Sequence, residues 1–206
     1  MRKDLKYGTH NSGTSGKLVW WERIFSPLLN LTSRCQDKSI DEQLSDGIIL
    51  FNFQICYYKH DWHFSHGLCI YEDMFINALN SIFKVLDDDK DKKIYIKLSL
   101  DKNFLLGQDI ERYKDLVSSL SQFINEYYNN RLILISAIIE GSDILYKDES
   151  HGLSYSENYW SLGWAKLNKG LFNFLPLPRY HAKKYNCIYK EYCDKDVLML
   201  DFYDIN

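Results

Sequence analysis

The chain has 206 residues, 46% hydrophobic and 26% charged, so a buried core is within reach and a disordered chain is excluded. Lys and Arg number 25 against 28 Asp and Glu; the net charge of −3 excludes a generally basic nucleic-acid surface but leaves room for a local basic pocket. With 3 Pro and 10 Gly, collagen-like and low-complexity sequences are excluded too.

No apolar run reaches the ~18 residues of a membrane-spanning helix, so stable membrane insertion is not expected. The opening MRKDLKYGTH lacks the apolar core of a secretory signal. Cys35, Cys56, Cys69, Cys187 and Cys193 show no CxxC spacing and read as reduced, mostly buried thiols. Together these point to a cytoplasmic protein.

Residues 5–8 read as a short strand, followed by helical character over 18–29. Residues 46–56 (DGIILFNFQIC) form a dense apolar run entered by Gly47, as in a strand covered on both faces. A shorter strand is read at 62–68. Over 72–86, Phe75, Ile76, Leu79, Ile82, Phe83 and Leu86 recur at helical spacing. The stretch 87–93 (DDDKDKK) is a solvated turn whose successive acids lack the spacing of a calcium loop. A strand at 94–100 (IYIKLSL) leads into a helix over 110–128, where Tyr113, Leu116, Val117, Leu120, Phe123, Ile124 and Tyr127 share a face. A strand at 132–139 (LILISAII), helical character over 157–167, a short strand at 171–175 and a strand at 197–203 (VLMLDFY) complete the series.

Strands alternating with helices imply parallel pairing and an α/β fold. Seven or eight strands point to a compact TIM-type (β/α) barrel, a single domain over 1–206. The length is near the lower limit for that fold, so some helices should be short or missing. An open doubly wound sheet is the runner-up.

The first strand ends in Gly8-Thr9-His10-Asn11-Ser12-Gly13-Thr14-Ser15-Gly16. Glycines flank a His in a hydroxyl-rich loop at the C-terminal end of a strand, where a barrel builds its site. The N–H groups leading into the following helix can receive an anion.

GTHNSGT resembles the GTHDSGT signature of the phosphatidylinositol-specific phospholipase C family, whose members are (β/α) barrels. The likeness continues downstream. Residues 47–54 (GIILFNFQ) are similar to the family's glycine-led second strand GARIFDIRGR, Ser65-His66-Gly67 to its His-Gly pair, and residues 95–100 to its IIMSL strand. Met199-Leu200-Asp201-Phe202 looks like its closing strand. The match covers the first hundred residues, with one more anchor near the end. It implies a phosphodiesterase in which His10 takes the proton of a substrate hydroxyl, His66 is the general acid and Asp201 orients His10. Two imidazoles suit that task, since an ordinary pKa near 6.5 lets one take a proton and the other give one near neutral pH. The attacking hydroxyl belongs to the substrate, so no nucleophilic side chain is needed. His10 and His66 are expected on strands one and three of a closed barrel, facing each other across its pore.

Departures from the family pattern bear on the charge of the site. Asn11 replaces the Asp after the first His, and Asn52-Phe53-Gln54 replaces Asp-x-Arg on the second strand. Strand alternation puts Asn52 and Gln54 on one face, expected to be the pore face. The Arg that bacterial members use on phosphate is therefore missing. Animal members use calcium, held by an Asn and two second-strand carboxylates. Asn11 fits that scheme, but Asn52 and Gln54 supply no ionised oxygens, so no metal and no other cofactor is expected.

Asn11, Asn52 and Gln54 are expected to hydrogen-bond the phosphate or the substrate's hydroxyls. Lys97, on one face with Ser99 and Asp101, is the candidate substitute cation; a structural bridge to Glu140 or Asp101 suits it equally. Arg179, with His181, Lys183 and Lys184, forms a basic cluster for a far phosphate or else a solvated loop. His60, His63 and His66 suggest zinc, but alternation turns His63 away from the other two. His151 and His181 are expected in surface loops. Trp20 and Trp21 beside Lys17 are read as core packing, with a ligand rim or a membrane contact as the alternative.

The implied partner is a small-molecule phosphodiester beside a free hydroxyl. An inositol phospholipid satisfies this, and so does a ribonucleotide, including a cyclic nucleotide signal; long nucleic acid is not expected. A barrel that binds a phosphodiester without cutting it is the non-enzymatic alternative. Retention of both histidines speaks against that alternative.

Overall fold

A computed structural model describes residues 5–101, 110–139, 144–148, 150, 152–156, 177–192 and 194–205. An eight-stranded sheet lies at its centre. In chain order the elements are β1 (Lys6–Thr9), α1 (Ser26–Ser33), α2 (Ile40–Ser45), β2 (Leu50–Tyr58), β3 (Asp61–His66), β4 (Cys69–Met74), α3 (Phe75–Asp88) and β5 (Ile94–Leu100). They continue with α4 (Ile110–Tyr127), β6 (Leu132–Ile139), β7 (Ile144–Lys147), α5 (Pro178–Tyr192) and β8 (Val197–Leu200).

Neighbours in the order β8-β1-β2-β5-β6 run parallel. Each strand from β2 onward in this row is reached through a helix, as parallel pairing requires. The remaining strands depart from the expected closed, parallel barrel. β3 and β4 form an antiparallel hairpin on the outer half of β2, and β7 is an antiparallel strand along β6. Among the described residues the sheet is not closed. Connection length dictates the antiparallel hairpin: two residues join β2 to β3 and two join β3 to β4, too few for a crossover helix.

The two faces of the sheet bury different chemistry. Phe51, Phe53, Leu98 and Leu134 point outward and pack on Leu79 and Ile82 of α3 and on Val117 and Leu120 of α4. On the inner face Leu50, Tyr95, Ile135, Val197 and Met199 close the floor of the barrel. Nearer the C-terminal strand ends that face turns polar: Asn52 lies beside Lys97, and Gln54 beside Ser99. The apolar floor and polar upper layer put any polar ligand at the C-terminal strand ends.

Several expected elements shift. The helix read over 18–29 is instead an extended stretch bridging to β4 (Leu18 to Tyr71), a 3-10 turn at Arg23–Phe25, and α1, opened by Pro27. Trp20, read as core, is 66% exposed. Residues 72–74 complete β4 before α3 begins, and β2 starts at Leu50 because Gly47 (φ +83°) ends the preceding turn. The sequence reading passes over α2; its six residues are held by a capping box of Ser39 and Glu42. His181 is not in a surface loop but buried in α5, stacked on Tyr185 with ring centroids 6.0 Å apart. The elements expected at 157–167 and 171–175, together with Glu140, His151 and Cys193, lie outside the described residues.

Candidate active site

Register alone brings the first two groups together. β1 and β8 pair with Thr9 opposite Leu200, so His10 and Asp201 leave the sheet side by side. His10 Nδ1–H donates to Asp201 Oδ1 at 2.8 Å. Asn11 (φ +45°) and Phe202 (φ +42°) follow in the left-handed region that side chains avoid, so both chains turn sharply away just after the pair. Buried amides hold that geometry. Gln36 Nε2 donates to the carbonyls of His10 and Leu200, 2.9 Å each. Asn186 Nδ2, from α5, donates to the carbonyls of Asp201 and Phe202, 3.1 Å each.

The loop after His10 is fastened as firmly. Ser12 N–H donates to the Asn52 carbonyl at 2.8 Å, and Gln43 Nε2 to the Ser12 carbonyl at 2.9 Å. A Cβ on Gly13 would stand 2.1 Å from the Phe64 ring, so only glycine fits there.

His66 ends β3. Its Nδ1 lies 2.7 Å from the carbonyl of Ser33, the last residue of α1. A carbonyl only accepts, so Nδ1 must carry the proton. The ring faces that of His10 at 6.2 Å between centroids, with the planes 86° apart. Both histidines thus have Nδ1 engaged in donation.

Cys35, read in sequence only as one buried thiol among several, sits against this pair. Its Sγ is 3.6 Å from His66 Nδ1, and Asn11 Nδ2 donates to it at 3.6 Å. Burial, with the nearby charge of Asp201 adding to it, pushes the thiol pKa well above its ordinary value. At neutral pH the group is a thiol.

The other candidates fall in two groups. Asn11 is buried, and its backbone N–H donates to Asn52 Oδ1 at 3.3 Å, tying the loop after His10 to β2. Gln54 and Lys97 lie on the adjoining inner face, and the Lys97 ammonium rests 4.9 Å from the centroid of the Tyr155 ring. Arg179 stands apart at the start of α5, paired with Asp37 and stacked 4.7 Å over the Phe202 ring. Gln36, Cys35 and Asn186 are the site residues that sequence reasoning missed. Their chemistry comes from long-range approach, with no local pattern to announce it.

An apolar ridge borders the site. Trp20 is exposed just before the 3-10 turn, and Ile24, Phe25, Leu28 and Leu31 are exposed along that turn and α1, whose end touches His66. Leu68 is exposed in the turn just after His66. Glu22 anchors the base of the ridge: its buried Oε2 accepts the Ile70 N–H at 2.9 Å, and burial raises its pKa to about 7. Among the described residues no helix is long and apolar enough to cross a membrane.

The mostly parallel, barrel-like sheet is the fold of the bacterial phosphatidylinositol-specific phospholipases C. The chain is similar to a double mutant of the Staphylococcus aureus enzyme, with a TM-score of 0.60 and 12% identity, covering 96% of this chain and 84% of that one. It is similar also to the Listeria monocytogenes enzyme, with a TM-score of 0.57 and 12% identity over 96% and 88% of the two chains. At that identity the likeness is one of fold. No protein-family model and no curated protein sequence matches the chain.

Proposed function

We propose that the chain is a metal-independent phosphodiesterase of the phospholipase C type, cutting a phosphodiester by attack of a neighbouring hydroxyl of the substrate. The observation that carries this is the facing pair of imidazoles, each anchored through Nδ1, one on a carboxylate and one on a carbonyl. His10 Nε2 takes the hydroxyl proton, and Asp201 stabilises the imidazolium that forms. The freed oxygen attacks phosphorus. The departing oxygen receives the Nε2 proton of His66, whose Nδ1–H stays on the Ser33 carbonyl. The product is a cyclic phosphate. Lys97, Gln54 and Asn52 face the phosphate from the inner wall, with Asn11 positioning Asn52 and Arg179 toward a more distant anionic group.

The apolar ridge favours a substrate at a lipid surface, because exposed large apolar side chains at a site mouth are poorly explained by a soluble nucleotide. An inositol phospholipid carries both the lipid and the neighbouring hydroxyl. The buried free thiols Cys35, Cys56 and Cys69 support a cytoplasmic setting.

The test is turnover in EDTA on phosphatidylinositol vesicles and on linear and cyclic nucleotides, wild type beside His10→Ala. We expect vesicle cleavage that falls by roughly 10²–10⁴-fold in the variant. Cleavage of a nucleotide alone would move the substrate class. Retention of a phosphodiester by both proteins without cleavage of any would leave a binding barrel instead.

A further inference from the structure

The floor of the His–Asp pair carries a second chemistry. A ring nitrogen of His10, a carboxylate oxygen of Asp201 and Cys35 Sγ lie within 4.8 Å of one another, and His10 Nδ1 is 2.8 Å from Asp201 Oδ1. Among the described residues this is the group of His, Cys, Asp and Glu side chains so gathered. We infer that these three residues form an inhibitory site for a borderline-soft divalent cation of the zinc or cobalt kind.

The donor set decides the class of cation. Sulfur and imidazole nitrogen select against calcium and magnesium, which take oxygen ligands. Three protein donors with one face open are the pattern of a four-coordinate zinc centre that keeps a position for water or substrate. Metal–sulfur and metal–nitrogen bonds of about 2.3 and 2.0–2.1 Å put tetrahedral donors roughly 3.2–3.6 Å apart, so side-chain movements of about an ångström complete the site. His10, with 23% of its side chain exposed, gives the open edge.

Charge balance favours the complex where it lies. One thiolate and one carboxylate neutralise a dication, so the buried product carries no net charge. The binding step releases one proton: the Cys35 thiol loses it to solvent, the carboxylate binds as it stands, and the neutral imidazole keeps its proton count while changing tautomer. The proton on His10 Nδ1 must leave that nitrogen for the metal and takes Nε2.

That tautomer shift makes the site inhibitory. A neutral His10 with the metal on Nδ1 and the proton on Nε2 has no lone pair to take a substrate proton. The metal affinity stands on the three donors alone; the inhibition rests on the two-histidine reading proposed above.

The experiment titrates cobalt(II) and zinc(II) into the full chain carrying Cys187→Ser and Cys193→Ser, which reduces the number of competing thiols. We expect one equivalent of cobalt to give a thiolate-to-cobalt charge-transfer band and the intensified visible bands of four-coordinate cobalt, with one proton released per metal. Cys35→Ser should abolish the charge-transfer band. It should weaken zinc by more than the roughly 10–100-fold that losing a supporting residue costs. X-ray absorption of the zinc-loaded parent protein, independent of how Cys35→Ser folds, should show one sulfur in the first shell. No sulfur in that shell, or a charge-transfer band that survives Cys35→Ser, overturns the site. In the activity arm, zinc should depress phosphodiester cleavage at least tenfold relative to each protein's own metal-free rate, less so after Cys35→Ser. Stoichiometric binding that leaves the rate untouched overturns the inhibitory role, whereas a protein with no turnover on any substrate fails the functional reading and still reports the site through cobalt.

Discussion

His10 and His66 differ in what holds Nδ1, and the difference sorts their roles. A carboxylate stabilises an imidazolium more than a carbonyl does, so His10 beside Asp201 suits the proton acceptor and His66 beside the Ser33 carbonyl the donor. Asp201→Asn should therefore lower kcat by roughly 10²–10⁴-fold with little change in KM, measured by steady-state kinetics on vesicles. The rate of the wild type should trace a bell against pH, because one imidazole must be neutral while the other is protonated; a flat profile would refute the assignment. At this scale the convergence of the two histidines and Asp201 was legible, because each sits in a short motif at a strand end. Gln36 and Asn186 were not: a buried amide that clamps distant carbonyls looks, in one sequence, like any other polar residue.

Among the elements, the 3-10 turn and α1 behave least as the sequence suggests. Apolar residues at roughly helical spacing ordinarily face inward, so residues 18–29 read as a core helix. Here Ile24 and Leu28 are 75% and 67% exposed, and of the α1 residues only Ser33 is buried. Ile24→Ser combined with Leu28→Ser should reduce vesicle binding several-fold in sedimentation while leaving cleavage of a short-chain, dispersed substrate unchanged. Equal loss on both substrates would show the ridge to be structural. Glu22 adds a pH dependence to the same region. Its carboxyl has a pKa of about 7 in the fold against an ordinary 4.5, so the folded protein binds that proton more tightly than the unfolded chain. The stabilisation is complete below about pH 4.5 and is lost as pH rises through 7. Compared with Glu22→Gln, the wild type should show a steeper fall in Tm between pH 5 and pH 8; parallel Tm curves would remove Glu22 as the cause.

Across the whole molecule, most strands were legible, whereas β4, β7 and the pairing directions were not. β5 and β6 run over the residues their apolar patterns mark, because strands covered by helices are apolar nearly throughout. The β2–β3 hairpin stayed hidden for a local reason. Lys59 and His60 form its two-residue turn with φ of +48° and +74°, a geometry usually announced by Asn-Gly or Asp-Gly. The apolar floor on the inner face, in contrast, makes a direct claim about stability. Ile135→Ala should cost about 2–5 kcal/mol in urea unfolding, since Leu50, Tyr95 and Met199 around it belong to three different strands and cannot collapse together into the gap. A loss below 1 kcal/mol would mean that the floor is loosely packed.

The short first strand has a temporal consequence. β1 meets β2 over only two residue pairs and β8 over four, so the last strand does most to hold His10 in place. His10 and Asp201 are 191 residues apart in the chain. At synthesis rates of about 5–20 residues per second, His10 leaves the ribosome roughly 10–40 s before the carboxylate that orients it. Throughout that interval the nascent chain carries His10 without the carboxylate it pairs with, and the pair forms only once β8 has been made.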